Sequence, residues 1–70
     1  MDELYKNIRA RRMQLGITQR ELAQKCGYKD HTTINKIEKG QVDITFERLK
    51  QIAIALDTTV INLILGNTIR

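Results

Sequence analysis

Apolar residues recur along the chain with the three- and four-residue spacing of helices, and nothing alternates with the period of a strand. The pattern predicts five short helices joined by connections of only a few residues. In chain order, the side chains expected to face inward are Leu4, Ile8, Met13 and Leu15; Leu22, Ala23 and Cys26; Ile34 and Ile37; Phe46, Leu49, Ile52, Ala53 and Leu56; and Val60, Leu63 and Ile64. The expected architecture is an all-α, compact five-helix bundle with oblique crossings.

Polar capping residues and glycines predict where these helices begin and end. Thr18 and Glu21 make a T-x-x-E pattern, in which hydroxyl and carboxylate each accept a hydrogen bond from a free backbone N–H. Asp30 is expected to cap the third helix in the same way, and Thr45 and Thr59 are expected to open the fourth and fifth. Three glycines are expected to end the first three helices: Gly16, Gly27 and Gly40.

Length and composition fit one small globular domain, residues 1–70, with 41% hydrophobic and 29% charged residues. No apolar run approaches the ~20 residues that span a bilayer. The start "MDELYKN" lacks the features of a signal peptide, so a cytoplasmic location is expected.

The single cysteine, Cys26, excludes an internal disulfide and fits a small buried hydrophobe better than a reactive thiol. With one histidine, zinc-ligand spacing is absent, and no metal or cofactor is expected.

The net charge of +4 is unevenly distributed. Residues 4–40 hold nine Lys and Arg against three Asp and Glu, whereas residues 41–70 hold three of each kind. A basic half on a neutral half suggests a polyanion partner on one side, although many solvated faces are also basic.

Residues 18–40 have the layout helix, glycine turn, helix, which is that of a helix-turn-helix motif. Ile34 and Ile37 anchor the third helix from one side. At about 100° per residue, four polar or basic side chains share the other side. They are Thr32, Asn35, Lys36 and Lys39.

Three stretches together resemble the Cro and phage-repressor type of helix-turn-helix transcriptional regulators: "IRARRMQLGITQRELAQKCG", "TINKIEKG" and "FERLKQIAIALDTTVINLILG". The resemblance runs roughly from Ile8 to Gly66. In register with the family pattern are Arg12, Gly16, Thr18, Gln19, Leu22, Ala23 and Gly27. Between Gly27 and Ile34, within "YKDHTT", the chain has one residue more than the commonest version, which leaves the start of the third helix open by one position.

This resemblance implies that the third helix, about residues 31–39, lies in the major groove of DNA. The implied base contacts are His31, Thr32, Asn35 and Lys36. Lys36 would donate to guanine, Asn35 would pair bidentately with adenine, and the Thr32 methyl would meet a thymine methyl. The alternatives are that Asn35 and Lys36 are solvated and that His31 covers the turn.

The resemblance also implies phosphate and structural roles. The phosphate candidates are Thr18, Gln19, Thr33 and Lys39; Thr18 as a cap alone and Lys39 as a solubilising charge are the alternatives. Arg12 and Glu38 would form a partly buried salt bridge between the first and third helices, with a structural role.

The last helix, within "VINLILG", is apolar nearly all round, so some of its side chains must face outward. Ile61 and Leu65, together with Ile54 on the fourth helix, are predicted to form a homodimer contact. The resemblance places the family's two-fold contact at this end. Scattered aliphatics on a monomer are the alternative.

The expected function is that of a sequence-specific regulator of transcription, acting as a repressor at an operator in double-stranded DNA with dyad symmetry. An antitoxin, a restriction-modification controller and a protein-interaction adaptor are alternatives with the same fold. Catalysis is not expected, because the sequence has one histidine, one cysteine that is expected to be buried, no paired carboxylates in a pocket pattern and no phosphate-cradling glycine loop.

Overall fold

The computed structural model of the chain describes residues 2–66, of which Asp2 is described by its backbone alone. Within this range there are five helices and no strand. The helices are α1 (Asp2–Gln14), α2 (Gln19–Lys25), α3 (Thr32–Glu38), α4 (Phe46–Ala55) and α5 (Val60–Leu65). The predicted all-α class and the number of helices are confirmed.

One apolar cluster receives side chains from every helix. Its members are Leu4, Ile8, Leu22, Ala23, Ile34, Ile37, Leu49, Ile52, Ala53, Leu56 and Leu63. Removing a Leu or Ile side chain from water stabilises the fold by about 1.5–3 kcal/mol, so this cluster is the main source of stability. Cys26 and Val60 are half-buried and pack against its edge, and burial raises the pKa of the Cys26 thiol. A thiol with a raised pKa stays protonated and unreactive at neutral pH.

Two predicted inward positions of α1, Met13 and Leu15, are exposed. Met13 follows the buried Ile8 by five residues, which places it about 140° around the helix. Leu15 lies beyond the end of α1, in a turn that Gly16 closes with a φ of +71°, so it no longer follows the helical period.

The predictions for Phe46 and Ile64 are also wrong, because both side chains are exposed. Phe46 is the first residue of α4 and lies outside the core, where the Lys50 ammonium is 5.5 Å from its ring. The α5 helix has only six residues, and Leu63 fills its inner position, which leaves the next residue, Ile64, outside.

The capping predictions are largely confirmed. Thr18 Oγ1 accepts from the backbone N–H of Glu21 at 3.0 Å, and Glu21 Oε1 accepts from the N–H of Thr18 at 2.8 Å. Asp30 Oδ1 accepts from the N–H of Thr32 at 2.9 Å, and this bond is the chief cause of a lowered pKa at Asp30. The helix starts one residue later than predicted, however, with His31 in the capping position and no side-chain bond from it.

An ion pair joins α1 to α3. Arg12 Nε lies 2.7 Å from Glu38 Oε2, and Arg12 Nη2 lies 3.1 Å from Oε1. The side chains are 11% and 2% exposed. Arg12 Nη1 also donates to the backbone oxygen of Ile17 at 2.8 Å, which fixes the chain just before α2. The Arg12–Glu38 pair therefore connects α1, α3 and the chain just before α2.

Two further side chains of α1 hold the C-terminal helices. Asn7 Nδ2 donates to the backbone oxygen of Leu63 at 2.7 Å. Arg11 donates from Nε to the oxygen of Leu56 at 2.9 Å and from Nη2 to that of Asp57 at 3.1 Å. These carbonyls lie at helix ends or within the last turn, where acceptors need partners from outside the helix. The guanidinium groups of Arg11 and Arg12 thus both form hydrogen bonds within the protein.

The Arg12–Glu38 pair should dominate the electrostatic part of the stability. Replacing Arg12 by Met leaves a buried carboxylate without its main partner, so the free energy of unfolding should fall by about 3–5 kcal/mol. Urea denaturation followed by circular dichroism measures the change.

The exposed pair Glu47–Lys50, with an O–N distance of 3.3 Å, provides the matched control. Glu47→Gln should cost less than about 1 kcal/mol, because exposed ion pairs are weak. Equal losses for Arg12→Met and Glu47→Gln would contradict the structural role of the buried pair.

Candidate nucleic-acid interface

Helix α3 is attached to the core by one side only. Ile34 and Ile37 are buried, and the Glu38 side chain points inward to Arg12. On the opposite side Thr32, Lys36 and Lys39 are exposed, and Asn35 is half-buried beside them. We call these four residues the α3 outer face. Within residues 2–66 neither lysine has an ion-pair partner, so both ammonium groups are available to a ligand.

The other predicted base and phosphate residues surround this face. His31 is exposed at the end of the turn that precedes α3, and Thr33 is half-buried on the flank of the helix, one turn before Ile37. Thr18 is exposed and Gln19 is half-buried at the start of α2. The fold therefore brings the start of α2 and the α3 outer face onto one surface, since Gln19 contacts Asn35 directly.

The side chain of Gln19 links α2 to α3 through two acceptors. Its Nε2 lies 3.1 Å from Glu38 Oε1 and 3.4 Å from Asn35 Oδ1. Both amide hydrogens are therefore used by acceptors within the protein. A phosphate contact from Gln19 would have to come from its backbone N–H, which lies in the first turn of α2 and has no acceptor within the helix.

Thr18 keeps one donor for an external ligand. Its hydroxyl oxygen accepts the capping bond from Glu21, and the O–H makes no bond to another described residue. A hydroxyl can accept and donate at once, so capping and a phosphate contact are compatible. The adjacent Glu21 carboxylate is used by the Thr18 backbone N–H, which offsets part of its repulsion for an anion.

The N-terminal half keeps most of its positive charge on the surface. Of the nine basic residues between positions 4 and 40, Arg11 and Arg12 bond to backbone or carboxylate groups of the fold, and the other seven are exposed. Of the three acids in the same range, Glu38 is buried and the other two are exposed. The exposed charge of this part of the chain is therefore positive, which suits a polyanion.

Two other kinds of feature are absent from the described residues. Residues 2–66 contain no group of three or more His, Cys, Asp or Glu side chains that could hold a metal ion. Among the same residues, no helix has the length and hydropathy needed to cross a membrane.

The bonds of Gln19 to Glu38 and Asn35 are the feature of this surface that sequence reasoning missed. The resemblance implied that Gln19 supports the third helix, but not through which atoms. A signal was present, since a buried carboxylate needs several donors and Arg12 alone does not saturate its two oxygens. A glutamine at the start of the neighbouring helix is well placed to provide one.

Comparison with protein families identifies the fold of this region. A family model described as helix-turn-helix matches residues 8–62, which is most of the chain and includes α2, α3 and the α3 outer face. A comparison with curated proteins gives no match. The match over residues 8–62 shows that the chain belongs to the Cro and phage-repressor type of helix-turn-helix family, whose members are DNA-binding regulators.

Proposed function

We propose that this protein is a sequence-specific regulator of transcription that represses by occupying an operator in double-stranded DNA. The observation that carries the proposal is the α3 outer face, where exposed polar and basic side chains project from a helix whose other side is fixed in the core. A rigid helix with such a face fits the major groove of B-DNA. No cofactor or catalytic step is part of the proposal, and the site of action is the cytoplasm.

The proposed base contacts come from the first turns of α3 and the residue before it. Lys36 donates to guanine O6 and N7, and the Thr32 methyl packs against a thymine methyl. His31 and Asn35 reach base edges on either side of Thr32. Their support is position: His31, Thr32 and Lys36 are exposed, and Asn35 keeps part of its side chain accessible.

The proposed phosphate contacts flank these base contacts. Lys39 lies at the C-terminal end of α3, Thr33 lies on its flank, and Thr18 and Gln19 lie at the start of α2. Phosphate contacts position a protein on the duplex without reading sequence. Thr18 would donate through its hydroxyl and Gln19 through its backbone N–H.

We further propose that the protein binds as a homodimer through its C-terminal helices. Ile54, Ile61 and Leu65 are 77%, 63% and 63% exposed, and Ile64 is exposed as well. Ile61 and Leu65 are four residues apart and therefore share one side of α5. Exposed aliphatic side chains that cluster favour an interface. A two-fold contact here would present two α3 helices to half-sites about 34 Å apart, which requires an operator with dyad symmetry.

Phosphate contacts should make the affinity for DNA depend steeply on salt. Each contact releases condensed counterions, so log Kd should rise by roughly one unit per log unit of salt for each phosphate contacted. Fluorescence anisotropy with a labelled duplex between low and physiological salt measures the slope. A protein-interaction adaptor would instead bind DNA weakly and without sequence preference at physiological salt.

Lys36 and Lys39 should respond differently to substitution. Lys36→Ala should cost about 1–3 kcal/mol on the preferred operator and relax the preference at one base pair. Lys39→Ala should weaken binding to all sequences alike. Binding curves on the preferred duplex and a scrambled one separate the two effects, and a uniform loss for both variants would refute base reading by Lys36.

The dimer contact can be tested with one charge. Ile61→Asp places a carboxylate in the apolar region and should shift the sedimentation-equilibrium mass at high protein concentration from dimer to monomer. Phe46→Asp is the matched control, since Phe46 is also 63% exposed but lies at the other end of α4 from Ile54. Equal masses for the wild type and Ile61→Asp would contradict the proposed interface.

A further inference from the structure

The orientation of the Asn35 amide is set by a chain of hydrogen bonds that starts at Glu38. A carboxylate accepts hydrogen bonds and donates none when ionised. The atom of Gln19 that lies 3.1 Å from Glu38 Oε1 must therefore be its amide nitrogen. Both oxygens of the buried Glu38 carboxylate accept from Arg12, Oε2 from Nε at 2.7 Å and Oε1 from Nη2 at 3.1 Å, which holds the carboxylate in place.

The amide of Asn35 is oriented by Gln19 in turn. Gln19 Nε2 lies 3.4 Å from the amide of Asn35, and an amide nitrogen, which only donates, needs an acceptor there. The Asn35 atom that faces Gln19 must then be Oδ1.

The nitrogen of Asn35 is left for an external partner. Asn35 Nδ2 makes no hydrogen bond to another described residue. It is not a buried atom without a partner either, since among the described residues that applies to Tyr28 Oη. Nδ2 is therefore accessible, on the α3 outer face between Thr32 and Lys39, each one turn away along the helix.

We propose that Gln19 is a positioning residue that turns Asn35 into a donor towards the bases, so that Asn35 selects guanine over adenine. This inference rests on the proposed function. Guanine presents two acceptors in the major groove, N7 and O6, whereas adenine presents the acceptor N7 beside a donating amino group. Bidentate pairing with adenine, expected from the sequence, would need Oδ1 at the base edge, where it would have to leave Gln19 or share its lone pairs.

The first experiment identifies the base that Asn35 reads. Bound sequences are selected from a random duplex library with the wild type and with Asn35→Ala. The base pair whose preference relaxes in Asn35→Ala is the one that Asn35 contacts. Guanine should be preferred over adenine there by the wild type, by roughly 5- to 150-fold for a well-formed contact.

The second experiment tests the positioning by Gln19. Gln19→Met keeps the length of the side chain and the backbone N–H but removes both amide donors, which lets the Asn35 amide rotate by half a turn. The guanine-to-adenine ratio should fall at least several-fold at this one base pair and stay unchanged at the others. Gln51→Met is the matched control, because Gln51 is exposed on α4. Thermal melting of both variants shows whether the fold is kept.

The outcomes separate the inference from the proposed function. If the wild type enriches no sequence, the proposed function is refuted and the inference falls with it. If the wild type enriches a sequence, the inference alone is overturned by any of three results: no base pair relaxes in Asn35→Ala, adenine is preferred at that base pair, or Gln19→Met leaves the ratio unchanged. If Gln19→Met does not fold, a preference for adenine at the base pair read by Asn35 still overturns the inference, and a preference for guanine supports the donor orientation of the Asn35 amide.

Discussion

The carboxylate of Glu38 lies inside the protein, and a buried charge must be matched by donors from the elements around it. Arg12 of α1 provides two donors and Gln19 of α2 provides a third. Because Glu38 is the last residue of α3, these bonds fix the position of that helix relative to two others. The exposed side of α3 is therefore held rigidly while its polar groups remain available to a ligand.

Much of the fold could be predicted because its signals are local. The T-x-x-E cap and the glycine stops depend on neighbouring residues, and both were read correctly from the sequence. Hydrophobic spacing failed at Leu15 and Phe46, which lie just outside or at the very start of a helix, where the period no longer determines the side that faces the core. Asn7 and Arg11 gave no signal, since their acceptors are backbone oxygens more than 40 residues away.

The residues of the candidate site could be proposed from the helical spacing on α3 and from the family resemblance. Spacing on α3 was enough to group its outward residues, and the resemblance to a family gave them roles. Neither source contained the orientation of Asn35, because that depends on a contact between α2 and α3 and on a carboxylate from the inner side of the helix. The buried Glu38 is thus connected to Asn35 on the α3 outer face through the side-chain amide of Gln19.

Helix α3, fixed by Glu38, is proposed to present its outer face to DNA. NMR titration of ¹⁵N-labelled protein with the duplex selected from the library measures this contact residue by residue. Shift changes are expected to concentrate in residues 18–20 and 31–39, with a large change for the side-chain amide of Asn35. Changes confined to α4 and α5, with the resonances of α3 unmoved, would show that DNA does not bind through α3.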